Sequence, residues 1–254
     1  MKGDKTMNKE IATRRSRDWW NTTALTPVAV IAFLMIWLNA CSSSSQSKTS
    51  STVAKPAAAS SVNTAGASVP TSLANAGEYG ENVYDYAKAN DWKNADVKLA
   101  ALKEAVKNVS TDVKSQSAAV KRLDTNVAAL NRAVTAKDQQ ATMREANQVT
   151  LDVANISTAY KLSAPVEVTK LDYYGRELEV WAQAQDVNKL QATAREMRRT
   201  WDSLRPSIET HSATEAEKFD ALVARVESAK TPTDYVRVAT PVLDEVDNLE
   251  KLFH

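Results

Sequence analysis

Residues 99–113, LAALKEAVKNVSTDV, decide the fold class, because Leu99, Leu102, Val106, Val109 and Val113 advance by steps of three and four. That rhythm keeps one face of an α-helix apolar and leaves the other to Lys, Glu and Asn. Val120, Leu123, Val127, Leu130 and Val134 follow the same steps. So do Val149, Val153, Ile156 and Tyr160, and again Ala194, Met197, Trp201 and Leu204. No segment alternates apolar and polar residues as a half-buried strand would. The expectation is an all-α fold, an elongated antiparallel helical bundle, with a superhelix of helical hairpins as the alternative.

The helical segments recur at a fixed spacing. Asp91, Asp138, Asp186 and Asp234 are 47, 48 and 48 residues apart, each just after an alanine-bearing helical stretch. Tyr86, Ala87, Asp91, Leu102 and Val106 align with Trp181, Ala182, Asp186, Met197 and Trp201. Leu123, Asp124, Val127, Leu130 and Ala133 align with Phe219, Asp220, Val223, Val226 and Ala229. The pattern predicts four related units of about 47 residues arranged as a duplicated half. Thr231-Pro232-Thr233-Asp234 reads as an N-cap with proline in the first turn. The other aspartates are weaker caps, so each unit is either a helical hairpin or one long helix kinked at its middle. The connectors Ser115 to Ala119, Leu162 to Pro165 and Glu209 to Ala213 are short, which makes successive segments antiparallel neighbours. Pro241 is expected to kink or restart the last helix. Gly175 stands mid-helix, where it costs about 1 kcal/mol relative to alanine, and a close helix crossing or a ligand contact would account for it.

The first third of the chain has a different character. Lys2, Lys5, Lys9, Arg14, Arg15 and Arg17 precede an apolar run from Ala24 to Leu38, which ends at Leu38-Asn39-Ala40-Cys41. Cys41 is the only cysteine in the 254 residues. The run is fifteen residues, short of the roughly 20 that span a bilayer, and cationic residues hold its leading end in the cytoplasm. The leader, the small or uncharged residues before the cysteine and the serines after it resemble a bacterial lipoprotein signal peptide with its lipobox. The resemblance implies that residues 1–40 are removed and that Cys41 becomes an acylated N-terminal residue anchored in membrane lipid. Ser42 after the cysteine is compatible with sorting to an outer membrane. The alternative is an uncleaved anchor with Trp19, Trp20 and Trp37 at the interfaces.

Residues 42–77 consist almost entirely of Ser, Ala, Thr, Val, Pro and Asn, without an aromatic residue. Such a segment buries too little apolar area to order itself and is expected to be a tether with a reach of about 30–36 Å. The helical domain is then expected over 78–254, and it resembles the all-helical domains of bacterial envelope lipoproteins, a resemblance that implies no activity.

The chain carries 32 Lys and Arg against 31 Asp and Glu. Without the six bases and three acids of residues 1–40, 26 bases face 28 acids, a net charge of −2 that argues against a nucleic-acid partner. His211 and His254 are the only histidines, and neither forms the His-x-x-Glu or His-x-x-x-His spacing that would put two ligands on one helical face. Met143 or Met197 with His254 is the only pairing suited to haem, and buried methionine is ordinarily packing material. Asp244, Glu245, Asp247 and Glu250 read as a solvated helix face, with a hard-cation site as the alternative. Arg195, Arg198, Arg199 and Arg205 form a basic cluster with Glu196 and Asp202 as partners, an anion or lipid-headgroup site being the alternative. Gly-rich phosphate loops and activated nucleophiles are missing from the sequence, so no enzyme, cofactor or metal is expected. The function expected is that of a lipid-anchored envelope protein with a structural or interaction domain and an envelope protein as partner. A binding protein for a small ligand or cation held by Tyr173, Tyr174, Trp181 and Trp201 is the alternative.

Overall fold

A computed structural model of the chain describes residues 66–113 and 118–253. Cys41, residues 1–40, the first part of the tether, Ser115 to Ser117 of one connector, and His254 lie outside the described residues. Eight helices account for nearly all the rest: α1 Thr71–Lys88, α2 Trp92–Asp112, α3 Ala118–Ala136, α4 Gln139–Ser157, α5 Val166–Gln183, α6 Val187–His211, α7 Ala213–Ser228 and α8 Pro232–Lys251. Among the described residues there is no strand beyond an isolated parallel bridge between Ser68 and Lys161. No helix among them is long and apolar enough to cross a membrane.

Each expected unit is a hairpin of two helices. Asn90, Lys137 and Gln185 take positive φ of 56°, 52° and 58°, and the aspartate after each caps the next helix. At the first turn Asp91 N–H reaches back to Tyr86 O and Asn90 N–H to Ala87 O, closing α1 with a Schellman motif. Asp138 to Ala133 and Asp186 to Trp181 repeat it. The carboxylates of Asp91, Asp138 and Asp186 then accept from the N–H three residues on. The fourth turn differs: Thr231 and Asp234 form a reciprocal capping box with Pro232 in the first turn. Pro241 does not end α8, which runs through it to Lys251. Of its neighbours on α8, Val238, Ala239, Val242 and Leu243 are buried, so tertiary packing holds the helix across the lost backbone bond.

The helices gather into two sets of four. In the first, α1 packs on α2 and α4, and α3 on α4 and α2; in the second, α5 packs on α6 and α8, and α7 on α6 and α8. Each set closes on itself, which makes it a bundle and not a turn of an open superhelix. Leu73, Leu102, Leu123, Leu130 and Val149 belong to the first core, and Leu171, Leu190, Trp201, Phe219 and Val246 to the second. Helices α4 and α5 join the sets, with Trp181 packed against both cores.

Gly80 and Gly175 mark matching contacts. A Cβ on Gly80 of α1 would lie 3.1 Å from Val149 of α4, and one on Gly175 of α5 only 2.6 Å from Leu243 of α8. Close helix crossing thus accounts for Gly175, and nothing about it requires a ligand.

The helical part begins at Thr71, not at Glu78. Leu73 and Ala76 are wholly buried, and Val69 packs on the same core. Small side chains let α1 lie close to α4, so the segment is rich in Ala, Ser and Gly and resembles a tether in composition. Pro70 stands at the N-cap of α1. At this end Lys161 N–H donates to Ala67 O and Ser72 Oγ to Asp112. At the opposite end Gln139 Nε2 donates to the last carbonyls of α1, Ala87 and Lys88, while Gln183 donates to Gln139 Oε1. The chain therefore enters at one end, and the four aspartate-marked turns sit at the other.

Candidate functional site

The four aromatic residues proposed as ligand contacts are taken up in packing contacts of their own. Tyr173 and Tyr174 touch edge to face at 5.3 Å between ring centroids. Burial, followed by the Glu177 carboxylate, pushes the Tyr173 phenol upward, and burial likewise raises Tyr174, whose hydroxyl bonds to Thr200. Trp181 lies two turns further along α5, with Lys189 Nζ 5.3 Å above its ring. Trp201 is 0 % exposed, its ring 4.6 Å from Phe219 and its Nε1 donating to Asp220 at 2.6 Å. A ring so enclosed is core material and has no face left for a ligand.

The remaining polar candidates are taken up in structural roles. His211 ends α6, its Nδ1 2.9 Å from Ser207 O and its ring 4.8 Å from Phe253. Met143 and Met197 are buried in the two cores. Arg198 pairs with Asp202 and Glu227, Arg199 with Glu196, and Arg205 with Glu209 and Asp220. Three of the four arginines in the basic cluster thus have carboxylates as their neighbours. The acidic string on α8 is not a uniformly solvated face: Asp244 is exposed, but Glu245 and Glu250 are buried. The apolar stripe of α8 is wide because the helix packs on α5 and α7, and it carries these two carboxylates inward. Glu245 is raised by burial and then by the Glu215 carboxyl of α7, while Asn248 donates to its Oε2 at 3.1 Å. Among the described residues no three His, Cys, Asp or Glu side chains gather as a metal site.

Two arrangements were not singled out from the sequence. The first is a buried ion cluster between the helical sets. Arg176 of α5, 1 % exposed, pairs with Asp172 at 2.9 Å and reaches across to Asp85 at 3.3 Å and Glu81 at 3.7 Å on α1. Its guanidinium lies 4.7 Å from the centroid of the Tyr84 ring, whose hydroxyl donates to Glu179 at 2.9 Å, and Lys88 pairs with that carboxylate at 2.7 Å. Burial alone would lower the Arg176 pKa, but Asp172, Asp85 and Glu81 together hold it well above the ordinary value. Asn147 adds a bond from α4 to Tyr173 O at 3.0 Å. The i, i+4 spacing of Asp172 and Arg176 was the visible signal; their burial is a tertiary fact. Such a cluster joins the two sets: Arg176 and Asp172 are enclosed at its centre, and Asp85 and Lys88 lie at its solvent edge.

The second is an open groove between α2 and α3, with a volume of about 620 Å³. Buried Val106 and Val127 form its floor, while exposed Lys103, Lys107, Asp124, Ala128 and Arg132 stand at its edges. Lys103 Nζ bridges it to Asn131 Oδ1 at 3.3 Å. The apolar floor and charged rim suit a partner's side chains better than a reaction, since no activated nucleophile or proton-transfer pair lines it. Comparison of the chain with protein-family models, with curated proteins and with solved structures finds no match.

Proposed function

We propose that the chain is a lipid-anchored protein of the bacterial cell envelope, held by an acylated Cys41, whose helical part is a non-enzymatic interaction module facing away from the cytoplasm. The observation that carries the module reading is the groove between α2 and α3, open to solvent and mixed in chemistry. Entry of the chain at the end opposite the aspartate turns supports the anchored arrangement, because a tether there leaves the long sides of both bundles open to a partner. The matching turns and glycine contacts of the two sets are in keeping with a duplicated half.

The test of anchoring is the state of Cys41. Mass spectrometry of the mature protein is expected to show an N-terminal acylated cysteine and no residue from 1–40. Cys41→Ser should abolish acylation and the cleavage that depends on it. An unmodified thiol at position 41, or an intact N-terminus upstream of it, refutes the proposal.

A further inference from the structure

The groove between α2 and α3 has a filled counterpart between α6 and α7. Counted forward from the N-cap aspartates Asp91 and Asp186, Lys103 stands where Arg198 does, Val106 where Trp201 does, and Ser110 where Arg205 does. Counted back from Asp138 and Asp234, Leu123 matches Phe219, Asp124 matches Asp220, and Asn131 matches Glu227. The same pairs of positions are in contact in both places: Lys103 donates to Asn131 at 3.3 Å, and Arg198 to Glu227 at 2.8 Å.

Between α6 and α7 the space is occupied from within. Trp201 fills it against Phe219, its indole N–H held by Asp220, and Arg205 Nε lies 3.1 and 2.9 Å from the two oxygens of the same carboxylate. At the matching places α2 offers valine, which lacks the volume of an indole, and serine, whose hydroxyl donates to Val106 O at 3.4 Å and not to Asp124. The result is the 620 Å³ groove, with Asp124 exposed at its edge and holding no hydrogen bond or ion pair among the described residues.

We propose that this groove docks a helix of a partner protein that presents a tryptophan and, four residues further on, an arginine. The indole would lie on Val106 and Val127 and the guanidinium would reach Asp124, repeating from outside what Trp201 and Arg205 do from inside. Lys103, Lys107 and Arg132 outnumber Asp124 at the rim, so carboxylates flanking the tryptophan on the partner helix complete the match. An aromatic anchor in a desolvated cleft with a charged hydrogen bond beside it is the usual composition of an interface hot spot. The inference rests on the helical part being an interaction module. It is independent of the anchor: failure of Cys41 acylation would leave docking intact, and failure of docking would leave acylation intact.

The probe is a peptide of residues 196–210, which carries Trp201, Asp202 and Arg205, labelled with a dye and titrated with the full chain by fluorescence anisotropy. Saturable binding is expected at concentrations well below about 1 mM. Trp201→Ala in the peptide, or Asp124→Ala in the full chain, should each weaken it by about tenfold or more. Val106→Trp should fill the groove and abolish binding, with circular dichroism used to establish that the helices remain. Asp124→Ala, at an exposed position, keeps the test valid if Val106→Trp does not fold. Absence of binding up to about 1 mM overturns the proposal, as does binding indifferent to Asp124→Ala. Self-association of the chain without peptide that Asp124→Ala weakens likewise overturns it, since the occupant would then be a second copy.

Discussion

Gly175→Ala and Gly80→Ala are the same chemical change at matching helix contacts, and the structure gives them different outcomes. Alanine favours a helix interior over glycine by about 0.5–1 kcal/mol, and that gain applies at both positions. At Gly175 the new methyl would lie 2.6 Å from Leu243 Cδ2 and 2.9 Å from its Cγ. Leu243 is 1 % exposed and Val242 stands 3.4 Å away, so the leucine cannot swing aside and α5 must move off α8. Overpacking of this kind costs about 1–3 kcal/mol, which leaves Gly175→Ala less stable by about 1–2 kcal/mol. For a chain of this size the melting temperature should fall by about 2–8 °C. At Gly80 the nearest atom is Val149 Cγ1 at 3.1 Å and the next lies at 3.5 Å, a contact that a few tenths of an ångström relieves. Gly80→Ala should therefore be neutral to about 1 kcal/mol stabilising. Urea unfolding followed by far-ultraviolet circular dichroism measures both. Adding Leu243→Ala makes the steric argument specific, because it should cost less in the Gly175→Ala chain than in the parent by about 1 kcal/mol or more. If Gly175→Ala stabilises the protein as much as Gly80→Ala does, the close approach of α5 and α8 is not what requires glycine.

The ion cluster and the buried carboxylate make two further predictions. Arg176→Met removes the guanidinium that pairs with Asp172, itself 1 % exposed, and with Asp85 and Glu81, and should cost about 3–5 kcal/mol in urea unfolding. Adding Asp172→Leu should restore much of that, and a single-variant cost below about 1 kcal/mol would show that the cluster contributes nothing to joining the sets. Glu245 has a folded pKa raised above its ordinary 4.5, so the folded chain holds its proton to higher pH than the unfolded chain does. That contribution is fully present below 4.5 and is lost as pH rises through the raised value. Glu245→Gln should therefore gain stability over the parent from acid towards neutral pH in melts recorded across that range. A difference that does not change with pH would refute the assignment.

The helices were legible because three-and-four spacing of apolar residues is a local property of the chain, written at Leu99, Leu102 and Val106 as plainly as at Val120, Leu123 and Val127. The turns between them were half-legible. The aspartates announced caps, but the residues that reverse the chain are Asn90, Lys137 and Gln185, and without glycine at those left-handed positions a hairpin and a kinked helix read alike. The candidate site fared worse. The aromatic group of Tyr173, Tyr174, Trp181 and Trp201 was chosen for residue type, whereas the direction of each ring depends on which neighbouring helix covers it. The groove was present in the alignment of Val106 with Trp201, but a small residue becomes a cleft only when the neighbouring helix leaves the lost volume unfilled.

The sequence by itself determined the helical class, the capped start of the last helix at Thr231-Pro232, and the lipobox-like leader that motivates the anchored reading. Tertiary structure alone decided that α1 reaches back to Thr71, that Arg176 and Glu245 are interior, and that eight helices close into two sets of four. Backbone hydrogen bonds and side-chain periodicity act within a few residues and are written locally. Burial is a property of pairs of helices far apart in the chain, and it exists only once they have packed.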